Sequence, residues 1–225
     1  MESIKQHTVY RADMGRYFDS YRALYSWCDY RIPTHTMCIE ALENVTPQDG
    51  QTISEMLRWL VSAKRTQRWD NPINTVNAVY ALYTSKDTTV MANYVVSPEE
   101  LKGALKVTRK VSGEMKVGNK VKVTLIIEAD RDYDFVTVTD NRAACLEPVN
   151  QLSGYHWGAY RGYYAEMRDS QSIYHFDQLA KGKYEINTEY YIDRTGEYQS
   201  GNATIVCEYA PEFRGSTEAV KLNIK

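Results

Sequence analysis

Hydrophobic periodicity changes once along this chain, from spacings of three and four to strict alternation, and that change confines it to a helical part followed by a strand-rich part. From Val9 to Tyr30, the residues Tyr10, Met14, Tyr17, Phe18, Tyr21, Leu24, Tyr25 and Cys28 recur at helical spacing and predict one amphipathic helix. A second is expected after Pro33, with Cys38, Ala41, Leu42 and Val45 on its stripe. Thr52-x-x-Glu55 reads as a capping box opening a third, which carries Ile53, Met56, Leu57, Leu60 and Val61. Asn71-Pro72 joins a capping side chain to a residue suited to a first turn, and Ile73, Val76, Val79, Tyr80 and Tyr83 form the expected apolar face of a fourth.

Beyond Ser85 the period becomes two. VKVTLIIE (121–128) sets Val121, Val123, Leu125 and Ile127 against Lys122, Thr124 and Glu128. KYEINTEYYID places Tyr184, Ile186, Thr188, Tyr190 and Ile192 on one face, and NATIVCEYA groups Ala203, Ile205, Cys207 and Tyr209. LKVTRKV, DFVTVTD, YRGYYAEM and QSIYHFDQL are further strand candidates, and Lys181-Gly182, Thr195-Gly196, Ser200-Gly201 and Arg214-Gly215 punctuate the runs. The fold class expected is therefore multidomain α and β. A helical segment of four amphipathic helices (1–87) and a linker (88–103) lead into an antiparallel β-sandwich of seven to eight strands (104–225). Within the linker, Ser97-Pro98 begins either a short helix or a turn.

Composition removes several function classes. A formal charge of -2 over 225 residues, with the basic residues dispersed, leaves no field to hold nucleic acid. The beginning has no signal-peptide pattern, no run approaches a membrane span, and the opening also fits a segment cut from a longer protein. Cys28, Cys38, Cys145 and Cys207 form no CxxC and have no histidine at ligand spacing, which argues against zinc, while their redox pairing stays open. Tyrosine is over-represented, at 19 residues against 4 each of Phe and Trp, so much of the aromatic surface carries a hydroxyl that needs a partner or water.

Three sites merit weighing. Cys145 in NRAACLEPVNQLSGYHW is a nucleophile only if one of His7, His35, His156 or His175 reaches it in space; small neighbours and a proline equally describe a strand end. Asp130, Asp132 and Asp134, or Glu166 with Asp169, offer carboxylates for glycoside hydrolysis, although charges alternating with aromatics near a strand start also describe solvated turns. The calcium loop that the three aspartates suggest lacks its glycine and terminal glutamate. The aromatic run GYHWGAYRGYY (154–164) is the best interaction candidate, through Tyr155, Trp157, Tyr163 and Tyr164, and its bland reading is core packing.

ISEMLRWLVSAKRTQRWDNPINTVNAVYALY (53–83), with Trp59-Leu60 and Trp69, resembles the closing helices of the α/α toroid of bacterial alpha-2-macroglobulins. The remainder resembles that family's last macroglobulin-like sandwich, through Leu146-Glu147-Pro148, Met167-Arg168-Asp169, Phe176 with Leu179 and Gly182, and Tyr209-Ala210-Pro211-Glu212-Phe213. The resemblance implies a non-catalytic piece of an endopeptidase trap in the bacterial periplasm or cell envelope. Its partners would be the rest of the parent chain and, through the whole protein, target proteases. No cofactor or metal is implied. The family's thioester motif sets cysteine, glycine, glutamate and glutamine in succession; here Cys145-Leu146-Glu147-Pro148 has proline at the acylating position, so no thioester forms there. The resemblance also implies that some of Tyr155, Trp157, Tyr163 and Tyr164 face the toroid. A carbohydrate-binding sandwich module is the competing expectation.

Overall fold

The computed structural model describes residues 2–21, 29–69, 71–85, 103–157 and 162–225. The chain divides into two compact units, Met1–Leu101 and Lys102–Lys225.

The first unit begins differently from the helix expected over 9–30. A short helix α1 (Glu2–Gln6) precedes an antiparallel hairpin of β1 (Val9–Arg11) and β2 (Gly15–Tyr17). Gly15 decides the matter. Its φ of +87° is left-handed, and a Cβ there would lie 2.2 Å from the Glu55 carbonyl oxygen. The Arg11 guanidinium closes the turn on both carboxylate oxygens of Asp13, and Arg16 donates to Glu55 at 2.8 Å. Spacings of three and four thus arose from a hairpin whose Met14 and Tyr17 are buried while Tyr10 and Tyr21 are exposed; Leu24, Tyr25 and Cys28 lie outside the described residues. Gly15→Ala is expected to destabilise this unit by at least about 1–3 kcal/mol, read from urea unfolding followed by helical circular dichroism.

Helices α2 (Arg31–Val45), α3 (Gly50–Thr66) and α4 (Pro72–Thr84) follow. Asn71 caps α4 by accepting from the Asn74 amide at 2.8 Å, with Pro72 in the first turn. The Thr52-Glu55 capping box does not form: α3 starts three residues earlier than a Thr52 cap would set it, and the Thr52 hydroxyl donates to Asp49 from inside the helix. The core joins Ile39 and Leu42 of α2 to Met56, Leu57, Trp59 and Leu60 of α3. Trp59 stacks on Tyr17 at 6.2 Å and lies 4.3 Å from the buried His35 ring, which is bonded through Nε2 to the Met56 carbonyl. In α4 the expected face is reversed, for Ile73, Val76, Val79, Tyr80 and Tyr83 are all exposed while Asn74, Ala78 and Ala81 are buried.

The second unit pairs a four-stranded with a six-stranded antiparallel sheet. In the first, β3 (Leu105–Ser112), β4 (Lys120–Ala129), β10 (Gly182–Ile192) and β6 (Leu146–Pro148) are neighbours in that order. The second runs β13 (Arg214–Ser216), β12 (Ala203–Cys207), β5 (Tyr133–Asn141), β9 (Gln171–Leu179), β8 (Tyr163–Met167) and β7 (Gly154–His156). β11 (Gly196–Gln199) and β14 (Lys221–Ile224) make a separate ribbon. Seven of these strands lie on the alternating runs. The described residues hold more segments than the seven to eight expected, because β6, β7, β11, β13 and β14 span only three or four residues and are too short to show a period. Val121, Val123, Leu125 and Ile127 are buried with Ile186, Tyr190, Val136, Val138, Tyr174, Ile205 and Cys207.

Two arginines tie strand ends together. Arg109 of β3 meets Asp140 of β5 at 2.7 Å, both side chains almost wholly buried, and donates to Ser200 Oγ and the Gly201 carbonyl. Burial pushes the Asp140 carboxyl above its ordinary value against the pull of Arg109. Arg142 donates to the Arg168, Asp169 and Gln171 carbonyls and to Ser172 Oγ, fastening the β8–β9 turn. That turn holds Met167-Arg168-Asp169, whose Arg168 and Asp169 carbonyls are the acceptors.

Candidate interaction surface

In the six-stranded sheet the directly paired residues Tyr155, Tyr164, His175, Thr137, Val206 and Arg214 form a row across all the strands. Side chains of paired residues share a face, and here that face is the outer one, since the alternate positions Ala165, Tyr174, Phe176, Val136 and Cys207 are buried. At its β7 end the row gathers aromatics. Tyr155 is 47% exposed, Tyr164 42% and Trp157 80%, and the Tyr155 and Trp157 rings lie 4.8 Å apart. Tyr163 does not join them. Its ring packs at 5.7 Å on Tyr174 and 5.3 Å on Phe176, so alternation along β8 turns it to the interior. Glu166 supplies the polar part of the patch, accepting from Arg168 Nε at 2.7 Å and facing His175 Nε2 at 3.3 Å. Those bonds, Arg168 first, hold its carboxyl below the ordinary value. The outer face of the four-stranded sheet is different in kind, with Lys120, Lys122, Glu128, Lys183, Glu185 and Glu189 exposed on β4 and β10.

The other candidates resolve into structure. Cys145 is fully buried, and desolvation pushes its thiol up, opposite to what a nucleophile needs; its carbonyl accepts from the Asp193 amide. Cys38, Cys145 and Cys207 are free thiols. Asp130 pairs with Arg131 and accepts from Tyr133 Oη, Asp132 accepts from the Lys181 amide at 2.7 Å, and Asp134 is buried. Asp132 thereby ties the start of β5 to the turn before β10. Asp169 contributes its carbonyl to Arg142. Among the described residues no group of three or more His, Cys, Asp or Glu is placed to hold a metal ion, and no helix is long and apolar enough to cross a membrane.

The remaining motif positions are mainly architectural. Trp59 is core and Trp69 lies partly buried against it, with Lys64 Nζ 5.3 Å above its ring. Glu147 is exposed opposite Tyr191, and Pro148 is buried opposite Tyr190. After β12 a tight loop buries Ala210 and Phe213, exposes Pro211, and leaves Tyr209 76% exposed. Tyr209 stands edge-on to Phe135 at 5.0 Å; Phe135 is held at a φ of +57°, rare for a bulky side chain. Alternation groups Tyr209 with Ala203, Ile205 and Cys207, but β12 ends at Cys207 and the Cys207–Phe213 backbone bond closes a loop that leaves Tyr209 off the buried face.

Residues 94–212 match the family model of the bacterial alpha-2-macroglobulin MG10 domain. Among solved structures, trypsin-activated alpha-2-macroglobulin from Escherichia coli is similar over 87% of this chain and 18% of its own, at 12% identity and a TM-score of 0.51. The Escherichia coli protein activated by porcine elastase is similar over 88% of this chain and 24% of its own, at 14% identity and a TM-score of 0.50. The chain spans less than a quarter of either. No curated protein sequence matches it.

Proposed function

Because the chain belongs to the bacterial alpha-2-macroglobulin family and carries its MG10 domain, we propose that it is a non-catalytic, C-terminal part of an endopeptidase trap, working by packing between domains. The observation that carries this reading is the contrast between the sandwich's two outer faces: one charged as a solvated face is, the other presenting Trp157, Tyr155 and Tyr164 together. An aromatic patch rimmed by Glu166, Arg168 and His175 suits burial against another domain of the parent chain. The helical unit is proposed as the end of the parent's α/α toroid, and the bulky outward residues of α4 support that reading. Target proteases would be met only by the whole protein, in the periplasm or cell envelope.

Tyr155→Ala, Trp157→Ala and Tyr164→Ala, made in the full-length parent, are expected to raise spontaneous activation severalfold, measured as loss of protection of a bound protease from large inhibitors. Tyr163→Ala is expected to act instead through sandwich stability, because its ring is internal. Unchanged activation in all three surface variants refutes the packing role. The exposure of Trp157 beside Tyr155 also keeps a carbohydrate-binding reading in play, which predicts glycan-array binding that disappears with Trp157→Ala.

A further inference from the structure

Helix α4 is built the opposite way from a surface helix. The residues it buries include Asn74, Ala78 and Ala81, those it exposes include Ile73, Val76, Tyr80 and Tyr83, and none of its residues is charged. Small residues on the inner side permit close approach to the body, and bulky ones on the outer side leave an apolar ridge. Helix α2 lies beside it, and a groove of about 330 Å³ runs between the two. Met37 and Ile39 of α2 with Tyr80 and Ala81 of α4 form its apolar lining. Glu40 and Glu43 also line it, and no lysine or arginine does. Neither carboxylate has an ion pair or hydrogen bond among the described residues. Both stand in the C-terminal half of α2, where the helix dipole is already negative, and the last turn has no basic residue to offset them. The groove thus sets these apolar side chains beside Thr36, Asn44, Asn77 and Thr84, under an acidic rim that is uncompensated among the described residues.

We propose that the α2–α4 groove is a docking site for an amphipathic helix with a basic flank. The helix would set apolar residues at i, i+3 or i+4, and i+7 against Met37 and Tyr80, with lysines or arginines spaced three or four apart meeting Glu40 and Glu43. Charge argues against a second copy as the occupant. A two-fold dimer through this groove would bring each acidic rim against its twin. The inference shares the outward residues of α4 with the toroid reading, but its test reads a charge preference set by Glu40 and Glu43, so its failure leaves untouched the family membership, which rests on residues 94–212.

The test uses the full chain and two synthetic helical peptides of about four turns with the same leucine ridge, one flanked by lysine and the other by glutamate. The lysine peptide is expected to bind about tenfold more tightly and to slow hydrogen exchange in α2 and α4. Glu40→Lys with Glu43→Lys is expected to reverse the preference while leaving helical circular dichroism unchanged. Equal binding of both peptides, no binding of the lysine peptide, or protection elsewhere overturns the proposal. A dimer abolished by Tyr80→Asp in sedimentation overturns it as well, in favour of a second copy.

Discussion

Acidification from pH 7 to about pH 4 is expected to destabilise the helical unit by about 3 kcal/mol through His35 alone. Burial holds the ring's folded pKa near 4 against an ordinary 6.5, and the bond to the Met56 carbonyl opposes this only in part. Between those two values the unfolded chain takes up a proton that the folded chain refuses. The contribution is therefore complete above about pH 6.5 and is lost as pH falls towards 4. Surrounded by Trp59, Phe18 and the Met56 carbonyl, an imidazolium would find one acceptor for two donors. His35→Gln keeps a donor and removes the titration, so its stability should follow pH with the His35 slope missing. Parallel slopes for the two proteins, in urea unfolding read by helical circular dichroism, would refute this account.

The second large effect is expected at Arg109 and Asp140, and it should be asymmetric. Asp140→Leu strands a guanidinium that cannot lose its charge, although Ser200 and Gly201 still accept from it. A cost of about 3–5 kcal/mol is expected, read from urea unfolding of the sandwich. Arg109→Met leaves a carboxyl that burial already pushes upward, so it can take a proton and cap the loss. The arginine variant should therefore be the milder, and the double variant should recover much of the deficit. Equal losses in the two single variants would show that the bonds to Ser200 and Gly201, rather than the ion pair, dominate.

These sites differ in how far the sequence announces them. Alternation in 121–128 and 183–192 fixes which side chains enter the sandwich, because one period serves one pleated strand. The helical stripe of 73–83 is equally plain, yet periodicity says only that a helix has two faces, and here small residues took the inner one. The hairpin at 9–17 was hidden because Tyr10, Met14 and Tyr17 keep helical spacing across a glycine whose left-handed backbone and close approach to α3 leave no mark on the period. Likewise the row from Tyr155 to Arg214 depends on the register of six strands, and the Arg109–Asp140 pair on a meeting of β3 with β5. Local patterns cannot report either. The motifs that marked the family turned out to be mainly turns and buried anchors, which explains their legibility: their demands are local.

The strand order has a kinetic consequence. β3 and β4 form a hairpin from neighbouring residues, but β4 waits for β10, whose partners lie some sixty residues further along, before its second edge is paired. β5 similarly waits for β9 and β12. The helical unit, richer in short-range contacts, is expected to fold first, and the sandwich to close late, after slow loop closures. During that delay Val121, Val123, Leu125 and Ile127 stand on an unpaired edge. Lys120, Lys122 and Glu128 alternate with them, and these charges make the waiting hairpin a poor template for another chain.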